Sequence, residues 1–172
     1  MLTGPACEAL ARGAVDCVLL ALPAACGEVD VVEIAVDPLV LVASAADAPG
    51  AGGMTLDTIK TDRLLLLEDG HCLRDHALSA CGLAGPAADA PLVASTLHTV
   101  VQLVDAGLGV TFLPQMAISA GILHGSGVAG HPVAGLAAER RIALAWRKGH
   151  PRAAEFRLLG EHIRQLVAAD AD

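Results

Sequence analysis

The sequence has few aromatic residues and fewer positive than negative charges, and both shortages restrict what the protein can be. Only three of its 172 residues are aromatic, so Ala, Val and Leu must fill most of the core. The 11 Lys and Arg residues against 19 Asp and Glu residues give a net charge of −8. That balance argues against binding of a nucleic-acid phosphate backbone by this chain alone, because such binding depends on clustered positive charge.

The sequence also has no long apolar run and no leader pattern. No run reaches the roughly 18 residues that a membrane-spanning helix needs. The N-terminus has no basic segment followed by a signal-type apolar core. We therefore expect a cytoplasmic protein that makes no membrane contact, with enough chain for one domain or two small lobes around a hydrophobic core.

Cysteine is present in an odd number, which does not suit a disulfide-stapled scaffold. The five residues are Cys7, Cys17, Cys26, Cys72 and Cys81. A cytosol keeps most thiols reduced, so we expect any disulfide to be transient. For the first three cysteines we predict purely apolar packing in the core, with Cys17 in the middle of a strand.

Short apolar runs alternate with helical patterns along the chain, which is typical of an α/β protein with a largely parallel sheet. The predicted strands are 15–22, 31–34, 38–43, 64–67, 110–113 and 141–146. The predicted helices are 5–12, 55–60, 72–80, one capped by Ser95 or Thr96 and ended by Gly107, and 152–168. The last of these is expected to turn Phe156, Leu159, Ile163 and Leu166 inward. Residues 47–53 and 121–130 are predicted as loops.

Reactive side chains concentrate where a predicted strand joins the helix that begins at Cys72. A cysteine reacts with peroxide as its thiolate, and a helix N-terminus beside His71 and Arg74 favours that anion. Three carboxylates in the same segment oppose the effect. The local sequence therefore predicts a redox-active thiol at Cys72.

A second cysteine, Cys81, follows Cys72 by nine residues. In one continuous helix their positions would be about 13 Å apart, whereas a disulfide needs Cα atoms nearer about 6 Å. Bonding them would unwind the helix, so oxidation would act as a conformational switch. The expected chemistry is oxidation of Cys72 to a sulfenic acid, which the Cys81 thiol then attacks.

Two other kinds of site deserve comparison with the redox pair. Zinc takes imidazole and thiolate ligands, which His71, Cys72, His76 and Cys81 supply, but their spacing fits no standard finger or ribbon. We expect no metal and no cofactor. Thr96 and Thr99 are predicted to cap a helix, and in a cleft such a helix start can receive an anion or a small polar ligand.

The block Gly70-His71-Cys72-Leu73-Arg74-Asp75, followed by the second cysteine, resembles the signature of OxyR-type hydrogen peroxide sensors in the LysR family of transcription regulators. Weaker similarity extends over nearly all of the chain. The resemblance implies a periplasmic-binding-protein-like α/β effector domain with two lobes, acting as a homodimer that rearranges on oxidation. Residues 1–35 and 137–172 would be the remnant of the first lobe, and residues 36–136 the second lobe with the redox cysteines.

The resemblance also implies roles for individual residues. Cys72 would be the peroxide-reactive thiol and Cys81 its partner. The supporting positions that match the family are His71, Arg74, Asp75 and Thr3, the last as a hydroxyl near the peroxide pocket. A thiol reductant such as glutaredoxin would reset the pair.

The winged helix-turn-helix, the linker helix and the first elements of a LysR effector domain are not visible before Met1. We therefore expect DNA contact only through a winged helix-turn-helix absent from this chain, and an incomplete first lobe. The leading hypothesis is a redox-sensing regulatory domain that is not an enzyme. The alternative is a metabolite-binding LysR-type effector domain without redox function, with its ligand near Thr96 and Thr99.

Overall fold

The computed structural model describes residues 2–48, 54–55, 63–80, 82, 92–131, 133–134 and 138–169. The helices are α1 Thr3–Ala11, α2 Cys72–Ala80, α3 Leu97–Asp105, α4 Gln115–Ser119 and α5 Ala153–Ala169. The strands are β1 Cys17–Leu22, β2 Val29–Ser44, β3 Met54–Thr55, β4 Leu66–Leu67, β5 Val93–Ala94, β6 Thr111–Pro114, β7 Val128–His131, β8 Val133–Ala134 and β9 Glu139–Arg147. None of the helices within these ranges combines the length and apolar character that crossing a bilayer requires.

The chain divides into two compact units. The terminal unit comprises Met1–Asp37 and Arg140–Asp172, and the central unit is Pro38–Glu139. Strand β2 contributes its first part to the terminal unit and its second part to the central unit.

The terminal unit is built on the strand order β1-β9-β2, in which β1 and β9 run antiparallel. Successive residues of a strand point to opposite faces, and β9 follows this rule. Leu144 and Trp146 join Phe156 of α5 in one apolar cluster, whereas Ala145 joins Cys7 of α1 in another. The sheet therefore has α5 on one face and α1 on the other.

The central unit holds the largest apolar cluster. Its strands β4 and β5 are parallel, and a parallel bridge joins Leu64 to Val110. The second part of β2 pairs antiparallel with β6 and β7. Three valines of α3 are buried against these strands: Val100, Val101 and Val104. Close packing is tight at Gly109, where an added Cβ would lie 2.1 Å from the carbonyl oxygen of Arg63.

Helices α2 and α3 confirm the predictions made for them. Helix α2 spans Cys72–Ala80, and α3 is capped by Thr96 and followed by Gly107 at a φ of 74°. A left-handed φ is a conformation that glycine adopts without steric cost. Local capping chemistry therefore located the ends of α3 from sequence alone.

Three strand predictions were wrong. The two strands predicted at 31–34 and 38–43 are one strand, β2. Pro38 does not interrupt it, because pairing with β6 begins only at Leu39, so the missing N–H of Pro38 removes no hydrogen bond between these two strands. Residues 128–130, predicted as part of the loop 121–130, belong to β7. The longest strand pairings described are antiparallel, not parallel.

Two helix predictions also need correction. Thr55, predicted to begin a helix, lies in β3, and residues 56–60 lie outside the described residues. In α5 the buried stripe runs through Phe156 and Gly160 with Ile163 and Val167 partly buried, while Leu159 and Leu166 are 43% and 54% exposed. An added Cβ on Gly160 would approach Val32 to 2.2 Å, so the small residue lets α5 lie close to β2 on that side.

Candidate functional site

Cys72 is the first residue of α2 and follows a tight turn after β4. Gly70 has a φ of 88° in this turn, and the His71 amide donates to the Glu68 carbonyl at 3.4 Å. His71 and Cys72 are half-buried, and Asp75 is exposed in the first helical turn. The first N–H groups of a helix have no partner within it, so they carry partial positive charge that favours an anion at this point.

Arg74 contacts both the turn and the end of β4. Its guanidinium donates to the Leu67 carbonyl at 3.3 Å and forms an ion pair with Asp69 at 2.9 Å. The Arg74 side chain is 16% exposed whereas that of Asp69 is 94% exposed. Arg74 therefore holds the turn in shape while keeping a cationic group close to the start of α2.

The starts of α2 and α3 lie at the same edge of the central unit. Strand β4 precedes α2 and strand β5 precedes α3, and the two strands are parallel neighbours. Because the carboxyl ends of parallel strands meet at one edge, the helices that follow begin side by side there. Leu73, Ala77 and Leu97 line a small apolar cavity beneath them, together with Arg74.

Thr96 and Thr99 shape the start of α3. The Thr96 hydroxyl accepts a hydrogen bond from the Thr99 amide at 3.1 Å, and the two hydroxyls lie 2.9 Å apart. Both residues are exposed. The structure therefore gives Thr96 its predicted capping role and leaves two hydroxyls facing solvent near the edge where Cys72 lies.

Two predicted site residues remain, Thr3 and Cys81. Thr3 is the first residue of α1, in the terminal unit, whereas Cys72 belongs to the central unit. Cys81 lies outside the described residues. Their assigned roles stay predictions.

The cysteines of the terminal unit differ from the prediction. Cys7 and Cys26 are buried, as expected, but they form a disulfide with their Cα atoms 4.6 Å apart. Their 19-residue separation and apolar neighbours gave the sequence no sign of pairing. Cys17 is the half-buried first residue of β1 and not a mid-strand core residue, because the strand begins two residues later than predicted.

The thiol of Cys17 has a shifted pKa. Burial raises it above its ordinary value of 9.0, the negative charge of Asp16 raises it further, and Arg152 lowers it in part. Within the described ranges, no group of three or more His, Cys, Asp or Glu side chains is placed to hold a metal ion.

A family model described as the LysR substrate binding domain matches residues 3–168. The chain belongs to the LysR substrate-binding domain family. This membership and the solved neighbours confirm the predicted fold class, that of a two-lobed, periplasmic-binding-protein-like LysR effector domain.

Curated relatives of this LysR-type domain include two regulators. The HTH-type transcriptional regulator EstR of Acinetobacter baylyi is 38% identical over 161 residues, which cover 94% of this chain and 54% of the relative. The "Probable hydrogen peroxide-inducible genes activator" of Streptomyces viridosporus is 39% identical over 164 residues, 93% of this chain and 52% of the relative. The chain thus spans about half the length of the curated relatives it matches.

Among solved structures, the reduced form of the regulatory domain of OxyR2 from Vibrio vulnificus superposes with a TM-score of 0.85 at 35% identity. The match covers 96% of this chain and 78% of that domain. The resemblance to OxyR-type members of the LysR family, inferred from the block around Cys72, is therefore confirmed.

Proposed function

We propose that this LysR-type domain is the redox-sensing regulatory domain of a hydrogen-peroxide-responsive transcription regulator, which switches through a reversible Cys72–Cys81 disulfide. The observation that carries the proposal is the position of Cys72 as the first residue of α2, directly after His71 and two residues before Arg74. Relatives named for hydrogen peroxide or OxyR support the same reading.

The length of α2 supports a switch in which forming the disulfide changes the conformation of the helix. From Cys72 to Ala80 an intact helix rises about 12 Å, and the next Cα lies about 3.8 Å from that of Ala80. Wherever Cys81 points, its Cα then stays about 8 Å or more from that of Cys72. A disulfide requires less than about 7 Å, so forming this bond must unwind at least the end of α2.

The proposed reaction oxidises two thiols and reduces one peroxide. The Cys72 thiolate attacks one peroxide oxygen, breaking the O–O bond, so that with one proton a sulfenic acid and water form. The Cys81 sulfur then attacks the sulfenic sulfur, and the hydroxyl leaves with a proton as a second water. A dithiol reductant of the glutaredoxin kind returns both sulfurs to thiols, so the domain senses stoichiometrically and does not act as an enzyme.

A brief peroxide pulse on the fully reduced protein tests the proposal. We expect a loss of two hydrogens, mapped by peptide mass spectrometry to a link between Cys72 and Cys81. Cys72→Ser should abolish this link, and Cys81→Ser should leave a sulfenic acid that dimedone captures on Cys72. Cys17→Ser is the matched control and should oxidise like the parent. Full alkylation of both Cys72 and Cys81 after the pulse would contradict the proposal.

A metabolite-binding domain is the second candidate, favoured by the exposed hydroxyls of Thr96 and Thr99 and by the match to the LysR substrate binding domain. A thermal-shift screen of small anions and small polar molecules on Cys72→Ser separates the two, because a ligand that binds the native state raises its melting temperature. A ligand that raises the melting temperature of Cys72→Ser but not that of Thr99→Val would favour this second function.

We further propose that the domain acts as a homodimer in the cytoplasm. Contact with DNA would require a winged helix-turn-helix, which is not part of the LysR substrate binding domain matched over residues 3–168. The net charge of −8 supports assigning DNA contact to another segment.

A further inference from the structure

We propose that Cys7 and Cys26 form a second thiol–disulfide site that equilibrates slowly with small disulfides such as glutathione disulfide, is not oxidised by a brief peroxide pulse, and holds the start of α1 on the sheet. The pair lies in the terminal unit, apart from the central unit that carries Cys72. The bond joins α1 to the segment that follows β1, across 19 positions of sequence.

The surroundings of this pair differ from those of Cys72. Cys7 and Cys26 are 6% and 8% exposed and pack in one cluster with Leu20 and Ala145. The residues that complete the cluster are apolar as well: Val18, Leu22, Ala24 and Val29. Apolar surroundings disfavour the thiolate, which reacts both with peroxide and with disulfides, so both reactions are slow here and the exchange reaches equilibrium only on long incubation. Reduced Cys7 and Cys26 should therefore resist a brief peroxide pulse.

Exchange with a small disulfide has a route through Cys26. This residue lies in an irregular segment between β1 and β2, where its amide donates to the Ala24 carbonyl at 3.0 Å. Such segments open locally at low cost compared with helices and strands, which gives its sulfur access to solvent at times when α1 stays helical.

The exchange balances with glutathione disulfide as the oxidant. The Cys26 thiolate attacks one sulfur of that disulfide, forming a mixed disulfide and releasing one glutathione thiolate. The Cys7 thiolate then attacks the Cys26 sulfur and releases the second glutathione. Two electrons pass from the protein thiols to glutathione disulfide, the two thiol protons end on the two glutathione thiols, and reduced glutathione reverses the sequence.

The bond matters for α1 because this helix has few other anchors. Cys7 and Leu10 are its buried residues. Its C-terminal end is held separately, since Arg147 donates to the carbonyl oxygens of Leu10 at 2.6 Å and Val15 at 2.9 Å. Reduction should therefore loosen the first turns of α1 and leave its last turn in place.

Glutathione buffers applied to the native protein test this proposal. After acid quenching and alkylation, peptide mapping should show the Cys7–Cys26 link rising with the ratio of oxidised to reduced glutathione. In fully reduced protein, a peroxide pulse long enough to oxidise a low-molecular-weight thiolate should leave Cys7 and Cys26 alkylatable. Cys17→Ser serves as the control and should show the same redox titration.

Hydrogen exchange gives the positional readout. On reduction, amides in the first turns of α1, such as that of Ala6, should exchange at least about tenfold faster. Those of Arg12 and Gly13, beside the Arg147 contacts, should change by less than about threefold. Absence of the link at every glutathione ratio, its rapid formation by peroxide, or equal loss of protection along all of α1 would each overturn the proposal. These measurements do not involve Cys72, so they stand or fall separately from the peroxide switch.

Discussion

Cys17 sits at the start of β1 opposite Trp146, close to the negative charge of Asp16 and the positive charge of Arg152. Burial and Asp16 both raise its pKa, and Arg152 compensates only in part. Burial therefore contributes most to the raised pKa of this thiol, and the charges of Asp16 and Arg152 adjust it in opposite directions. Asp16 directly precedes Cys17 in the sequence, whereas Arg152 comes near it only in the fold.

The raised pKa of Cys17 predicts how the alkylation of this thiol depends on pH. Iodoacetamide reacts with the thiolate, so the rate should rise with a midpoint above pH 9.0, the ordinary value for this group. Asp16→Asn should lower the midpoint, and Arg152→Gln should raise it. A folded-state pKa above the unfolded one favours the protonated native state, so this contribution to stability is present below pH 9.0 and lost as pH rises through the folded pKa.

The alkylation profile is measured by mass spectrometry of the Cys17 peptide at a series of pH values. The peptide of Cys17 from the unfolded protein supplies the reference midpoint. A native midpoint at or below the reference would show that burial and Asp16 do not dominate this thiol.

Thr96 caps the start of α3, and this structural role can be tested apart from any role in ligand binding. Removing a capping side chain costs about 1 kcal/mol, because a helix amide loses its partner. We expect Thr96→Ala to lower the free energy of unfolding by about this amount, and Thr96→Ser to restore most of it. Urea unfolding measures both, and Thr99→Val, which keeps the Thr96 oxygen for the Thr99 amide, is the matched control.

An unfolding free energy unchanged by Thr96→Ala would contradict the capping role given by the 3.1 Å hydrogen bond. In that case the Thr96 hydroxyl would have to serve another purpose at this edge of the central unit.

Elements with local signals could be predicted from the sequence, and those set by distant partners could not. Helix α2 and the cap of α3 follow from side chains within a few residues of the helix start. The orientation of α5 does not, because Gly160 lies against Val32 of β2 and turns Leu159 outward. The Cys7–Cys26 bond was missed for the same reason, since its partners share no local pattern.

The chain crosses from one unit to the other at two points, and the residues of the terminal unit at these points form a buried ion pair. Asp37 ends one segment of the terminal unit and Arg140 begins the other, and their side chains form a salt bridge. Asp37 is fully buried and Arg140 is 14% exposed. Removing one partner of a buried pair leaves the other charge desolvated, so Asp37→Ala should cost about 3–5 kcal/mol.

Glu33 provides the control for this prediction. Its ion pair with Arg141, at 2.9 Å, is about half exposed on both sides, and exposed pairs contribute about 0–1 kcal/mol. Guanidinium unfolding of Asp37→Ala and Glu33→Ala should show the large difference. Equal, small losses in the two variants would mean that the Asp37–Arg140 pair contributes little.

The division of the chain has a consequence for how the protein is made. The central unit is a single stretch, Pro38–Glu139, whereas the terminal unit joins residues that lie more than a hundred positions apart. On a ribosome, the central unit can therefore form its contacts while β1 and the first part of β2 still wait for β9 and α5 to emerge. During that interval β1 has no β9 to pair with, and Val32 and Ile34 of β2 have no α5 to cover them. The terminal unit is therefore the part of the chain most exposed to aggregation, and it is so late in synthesis.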